Sequence, residues 1–319
     1  MKKVVVAGRW DGNGERRSGG ALEEIRRGIL DVAPRARVFA LPFGPGPTWD
    51  EAVVASSSSA SFVRVPLGAS STRRYGSLVR EHAASGGTVV VEGGHGEHPD
   101  YGLGFLSGLL ATPAVHASDS SLEDALNAAE EFVSRTGVDL ICSASTARPL
   151  LGLDSVLAVA PDLSAVDEQD TETTALLTRA FARRPHRREL FAGPQVHPAR
   201  AYGSGAGGGV GAVVAAIGGR IVATGDLLAR LTPLEAQLEE ADLLLVAEPE
   251  LASPLLAEST VDALTNAAAT RALPVVGLTR RSSLSHVERA QWGLHGVFET
   301  EGSITLEDAG RRIARTWLR

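Results

Sequence analysis

The sequence predicts an α/β protein built from two domains with mostly parallel sheets. Three observations carry that prediction. Short β-branched runs alternate along the chain with amphipathic segments rich in Ala, Leu and Arg, the pattern of parallel βα units. Several of these runs are apolar at consecutive positions, as strands covered by helices on both faces require. The length, 319 residues, is about twice the ~150 of an ordinary domain.

The strands are read in order at 3–7, 37–41, 62–66 and 88–92, then at 138–142, 156–160, 242–247, 274–278 and 296–298. Between them, Ala21, Leu22, Ile25, Ile29 and Leu30 form one apolar helical stripe with Glu23, Glu24, Arg26 and Arg27 turned outward. Leu122, Ala125, Leu126, Ala129, Phe132 and Val133 form a second, with Ser120 or Ser121 as the expected cap and Glu123 and Asp124 in the first turn. A last helix is expected over 306–318, acidic at its start and basic at its end. Breaks fall at Gly44-Pro45-Gly46-Pro47, at the polar stretch 56–61, at the loop 92–99 and at 182–204, where Pro185, Pro194 and Pro198 interrupt any helix.

Composition narrows the function. With 31 Lys+Arg against 38 Asp+Glu the net charge is −7, so a nucleic-acid binder reading backbone phosphate is not expected. Cys142 is the single cysteine, which excludes an intrachain disulfide framework and a Cys-rich zinc site. No apolar run reaches the ~18 residues of a membrane span. The run Val4-Val5-Val6-Ala7-Gly8 after Met1-Lys2-Lys3 is too short for a signal peptide, so we expect a cytoplasmic protein. The 35 glycines exceed the usual share of about 7%.

Much of that excess sits in Gly203-Ser204-Gly205-Ala206-Gly207-Gly208-Gly209-Val210-Gly211, which leads into Ala212 to Ile217. A glycine loop opening a small-residue helix presents backbone N–H groups at a positive helix end, suited to phosphate or carboxylate. The same glycines equally serve close packing of the helix on a sheet. The segment is not a Walker A loop, because no Gly-Lys-Ser/Thr ends it, and no predicted strand directly precedes it as a dinucleotide fingerprint demands.

Residues 203–228, with Glu240-Ala241-Asp242-Leu243-Leu244-Leu245-Val246-Ala247-Glu248 after them, resemble the C-terminal half of the type I glycerate kinases. That family carries a GAxAAGGLGAAL segment and an ADLVITGEGRxD strand and loop. Lys2 to Ala7, Ala36 to Pro42, Thr88 to Glu92, Cys142 with Pro149-Leu150-Leu151-Gly152, and Pro274 to Leu278 are similar to further segments in the same order. The resemblance implies two α/β domains with a cleft between them. It places residues 1–65 and 225–319 in a discontinuous Rossmann-like domain, and 66–224 in a second domain that carries the glycine segment. It also implies transfer of the ATP γ-phosphoryl to D-glycerate with Mg²⁺, chemistry that rests on positioning and charge stabilisation.

The acids of that chemistry are where the chain departs from the family. The PDSFKGS loop becomes Gly8 to Ser18, keeping Asp11, Arg16 or Arg17, and Ser18 out of register. The ADGGEG loop becomes Phe43 to Thr48, without acids. The CDV aspartate falls on Ser143 and the NPL asparagine on Arg148, and the GGSATNDGG loop has no counterpart. In GEGRxD the glutamate survives as Glu248, flanked by Ala247 and Pro249, with Glu250 and Ala252 in place of the arginine and aspartate. Losing members of a catalytic set costs orders of magnitude.

The expectation is therefore a divergent member, weakened or silent in phosphoryl transfer, that binds a small glycerate-like or phosphate-bearing anion in the interdomain cleft. Glu248, Asp11 and Ser18 are the candidate catalytic remnants. Gly203, Ser204, Gly205, Gly207, Gly208, Gly209, Arg9, Arg16, Ser143 and Arg148 are the candidate anion-binding residues, and no metal site is assigned. The alternatives are an active kinase using ATP and Mg²⁺, and a non-enzymatic partner of another protein. A homo-oligomer is compatible with each.

Other features have plain readings. His95, Glu97 and His98 lie in a glycine loop without a visible third ligand. Ser143 to Thr146 follow a strand end, where hydroxyls cap helices or meet ligands. Cys142 reads as a small buried side chain. The run Arg183 to Arg188 is suited to a phosphorylated ligand or an acidic partner, and more simply reads as a solvated surface turn paired with the nearby acids at 167–172.

Overall fold

The computed structural model describes residues 1–10, 17–96, 100–115, 119–159, 171–182, 197–253, 260–300 and 304–318. In chain order the elements begin with β1 (Lys3–Gly8), α1 (Ser18–Val32), β2 (Arg37–Pro42), α2 (Pro47–Val54), β3 (Ser61–Val65) and α3 (Arg73–Ala83). They continue with β4 (Thr88–Gly93), α4 (Leu103–Leu110), α5 (Asp119–Thr136), β5 (Asp139–Ala144), α6 (Thr171–Ala182), α7 (Ala206–Ala216) and β6 (Arg220–Ala223). The last part holds α8 (Thr224–Leu231), α9 (Leu234–Leu238), β7 (Leu243–Ala247), β8 (Glu250–Leu251) and α10 (Val261–Ala269). It ends with β9 (Val275–Thr279), β10 (Arg281–Ser282), α11 (His286–Gln291), β11 (Gly296–Glu299) and α12 (Leu306–Trp317).

The chain divides into two compact units, one of residues 1–57 and 225–319, the other of 58–224. The first unit holds a five-stranded sheet in the order β11-β9-β7-β1-β2, every pair parallel. Parallel pairing needs a crossover between successive strands; α1 links β1 to β2 and α10 lies between β7 and β9, while α12, after the last strand, packs its apolar stripe into the same core. Val4, Val6, Leu245 and Val276 on the strands pack with Leu22, Ile25, Ile29 and Ile313 on the helices. Thr305 caps α12, its hydroxyl accepting the Asp308 N–H at 3.0 Å. The pair β8 and β10 forms a small parallel sheet beside it.

The second unit carries a four-stranded parallel sheet in the order β3-β4-β5-β6. Val63, Val89, Val91, Leu140 and Cys142 bury against Phe105, Leu122, Leu126 and Val213. No described helix is long and apolar enough to cross a membrane.

Three expectations change, and one strand is new. The boundary expected after residue 65 falls after 57, because the strand expected at 62–66 forms as β3 and pairs with β4 in the second unit. The strand expected at 156–160 is a turn over 156–158, with an isolated β-bridge at Val159. Val156 N–H donates to Pro149 O, and the N–H groups of Ala158 and Val159 both donate to Ser155 O. Ser120 and Ser121 lie inside α5, which already starts at Asp119. Finally β6, four residues between Gly218-Gly219 and Thr224, was too short to stand out from its glycines.

A candidate anion site at the β1–β7 crevice

The strand order of the first unit reverses at β1. The chain runs outward from β1 to β2, then returns to lay β7, β9 and β11 on the other side. Such a switch point opens a crevice at the carboxyl ends of the two central strands, where open α/β sheets bind ligands. The described strands of the second unit's sheet run in sequence order, β3 to β6, with no switch point among them.

Arg9 follows β1 and Glu248 follows β7, so the two stand side by side at that crevice. Both Nε and Nη2 of Arg9 lie 2.6 Å from Glu248 Oε1. The carboxylate is 1% exposed and the arginine side chain 26%, so the pair is largely withdrawn from water. Backbone bonds fix both residues: Arg9 N–H donates to Ala247 O at 2.9 Å, and Glu248 N–H to Leu278 O at 3.0 Å. Gly8 makes the approach possible. Its φ is +137°, and a Cβ there would run into the Ala247 backbone. Beyond the pair, the exposed Arg280 lies over the ring of buried Trp10, 5.3 Å from its centroid, a cation–π contact.

Ser18 opens α1 but is structural in this arrangement. Its hydroxyl is 1% exposed, accepts Trp10 N–H at 3.0 Å and stands 2.6 Å from Thr48 Oγ1. Asp11 and Arg16, the other candidates of this loop, lie outside the described residues, as do Glu97, His98 and the basic run 183–188.

The structure places the remaining candidates in the second unit. Gly207, Gly208 and Gly209 all have positive φ (61°, 65° and 112°), so the regular turns of α7 begin only at Val210. The amides of this segment turn inward. Gly203 N–H donates to Ala147 O at 2.9 Å, Gly205 N–H to Arg148 O at 3.0 Å and Gly207 N–H to Gly94 O at 2.9 Å. Ser204 is fully buried, its hydroxyl accepting Leu150 N–H. The packing reading of these glycines is thus the one the hydrogen bonds favour.

Ser143 is fully buried against Thr224, with 2.9 Å between the hydroxyls. Arg148 Nη1 donates to Asp154 O at 3.1 Å, tying the guanidinium to its own loop. Glu92, 2% exposed, accepts Ser145 Oγ–H at 3.0 Å. Burial, and after it the Glu92 charge, pushes the Cys142 thiol up to about 12, so it is not a nucleophile at neutral pH.

Residues 50–318 match the sequence profile of the glycerate kinase family. The chain belongs to the glycerate kinase family. The matched span includes Glu248 and starts after Arg9. This glycerate kinase family member superposes on the crystal structure of a protein assigned as glycerate kinase 2 from Salmonella typhimurium LT2 with a TM-score of 0.66. The two chains are 20% identical over 99% of this chain and 98% of the other, so the likeness is one of fold. The catalytic domain of a β-amylase from Paenibacillus polymyxa aligns over 99% and 98% at 10% identity, but its TM-score of 0.20 carries no argument. No curated protein is matched by sequence.

The donor set can be tested against the Mg²⁺ that the family resemblance implies. A hard cation needs carboxylate oxygens that are not already held. Glu248 is gripped by Arg9, and in the other unit Glu92 is held by Ser145. Among the described residues no three His, Cys, Asp or Glu side chains gather closely enough to hold a metal ion. These carboxylates do not fit the metal as they stand.

Signals for Arg280, Trp10 and Thr48 were missing from the sequence. Each acts through a neighbour from a distant strand or helix, and no local spacing encodes that.

Proposed function

We propose that this glycerate kinase family protein binds a small anionic hydroxy acid, of the glycerate type or a phosphate-bearing relative, at the β1–β7 crevice, with phosphoryl transfer weak or silent. The Arg9–Glu248 pair carries the reading. A guanidinium fork at a switch point is suited to a carboxylate or phosphate, and here it already holds a carboxylate at 2.6 Å. A ligand carboxylate reaching Arg9 competes with Glu248 for the same donors. Arg280, held over Trp10 at the neighbouring strand end, adds a second positive charge.

The pair also supports the loss of turnover. Phosphoryl transfer needs carboxylates to hold metal and to orient the attacking hydroxyl, and a carboxylate neutralised by a guanidinium does neither well. ATP and Mg²⁺ belong to the alternative of an active kinase, which the family match favours and the held carboxylates disfavour.

Calorimetric titration of the purified chain with D-glycerate tests the binding. The expected result is a saturable heat, with affinity reduced about tenfold in Arg280→Gln, the loss of roughly one charge-assisted contact. No heat with D-glycerate or with phosphoglycerate overturns the reading.

A further inference from the structure

The start of α1 is the place where the β1–α1 turn of an open α/β sheet ordinarily receives a phosphate. Here a side chain of the same protein fills it. Glu51 Oε1 accepts Ser18 N–H at 3.0 Å and Oε2 accepts Gly19 N–H at 2.8 Å. Each carboxylate oxygen thus meets one of the helix's leading amides.

Among the described residues, nothing local to α1 does this work. Its N-cap residue, Arg17, makes no side-chain cap bond, and its first turn holds no acid. A fifteen-residue helix therefore presents a positive end with no acid in its own first turn. The carboxylate comes from 33 residues further along the chain. The delivering helix, α2, is firmly seated. Pro47 occupies its first turn after Gly46 at φ 63°, and Thr48, Trp49 and Ala52 are fully buried. Thr48 joins Ser18 through the 2.6 Å hydroxyl contact, so the two helix starts are fastened at two adjacent points. Gly19 has no Cβ, and one built there would stand 2.9 Å from Glu51 Oε2, so the glycine leaves the carboxylate its room.

We infer that Glu51 is a specificity-determining residue: an intramolecular anion that occupies the phosphate position of the β1–α1 turn and excludes a ligand phosphate from it. Recognition at the switch point then falls to arginine side chains and not to helix amides. The inference stands whether or not an anion binds at Arg9.

Thermal unfolding with added inorganic phosphate, against chloride at matched ionic strength, tests it in the full chain. Wild type is compared with Glu51→Ala and with Glu51→Gln, which keeps the shape and removes the charge. Vacating the position lets phosphate take it. We expect phosphate to raise the Tm of Glu51→Ala by about 2–4 °C more than that of wild type, with Glu51→Gln between the two. An anion bound at Arg9 raises all three chains alike, so the difference between chains isolates α1. A purely structural role lowers the Tm of both variants without any phosphate dependence. Equal phosphate responses in the wild type and whichever variants fold overturn the inference.

Discussion

At the residue scale, Glu248 is paired with Arg9. Removing one partner of a withdrawn ion pair leaves the other charge poorly solvated. Arg9→Met is therefore expected to lower unfolding stability by on the order of 3 kcal/mol, and Arg9→Met combined with Glu248→Gln by less than the sum of the two single changes. Denaturant unfolding of the four chains measures the coupling, and simple additivity refutes it.

Cys142 offers a pH test at the same scale. Its thiol is pushed up to about 12 by burial and by Glu92, above the usual value near 9. Below pH 9 both folded and unfolded thiols keep their proton. Between pH 9 and 12 the unfolded chain releases it and the folded chain does not, so the Cys142 contribution to stability falls as pH rises. Comparing wild type with Cys142→Ala across that window isolates the effect. A difference that stays flat with pH contradicts the assignment.

Residues of this kind were unevenly legible. Glu248 stood out in the sequence because a strand and a motif precede it. Its partner Arg9 was visible as a charge near the first strand, but the pairing depends on β1 lying beside β7, a contact across 239 positions. Glu51 gave no signal, since a carboxylate cap delivered from another helix has no local pattern.

At the scale of elements, the glycine segment and α7 form a packed wedge. Gly209 has φ +112°, and a Cβ there would meet Tyr101 O at 2.5 Å, whereas Gly218 has φ +91° with nothing within 4 Å. Both positions strain an L-residue, but only the first adds a backbone collision. Gly218→Ala is expected to cost about 1 kcal/mol and Gly209→Ala at least about twice that. Chemical denaturation ranks them, and equal costs contradict the packing role.

The strands were mostly legible because a parallel sheet covered on both sides writes itself as runs such as Val4-Val5-Val6 and Leu243-Leu244-Leu245. The turn at 156–158 was misread for the same reason. Its Val, Leu and Ala side chains look like a strand, but Val156 is buried by folding back onto Pro149 and not by pairing. The glycine run announced a special backbone correctly, while the direction of its amides depends on carbonyls at 94, 147 and 148.

At the scale of the whole molecule, the first unit is built from both ends of the chain, because β1 pairs with β7 as well as with β2. The second unit is continuous over 58–224 and buries its own core. Expressed alone, residues 58–224 are expected to unfold cooperatively, while 1–57 lack the strands that complete their sheet and stay unfolded. Circular dichroism of the two fragments distinguishes these outcomes, and a folded 1–57 fragment contradicts the pairing argument.

We propose that the family fold persists here with Glu248 held by an arginine, so that ligand binding has outlived turnover. Steady-state release of ADP from ATP, Mg²⁺ and D-glycerate by the purified chain tests this most directly. Release is expected at the level of the enzyme-free control. Glycerate-dependent turnover in the ordinary kinase range of about 1–100 s⁻¹ would contradict it.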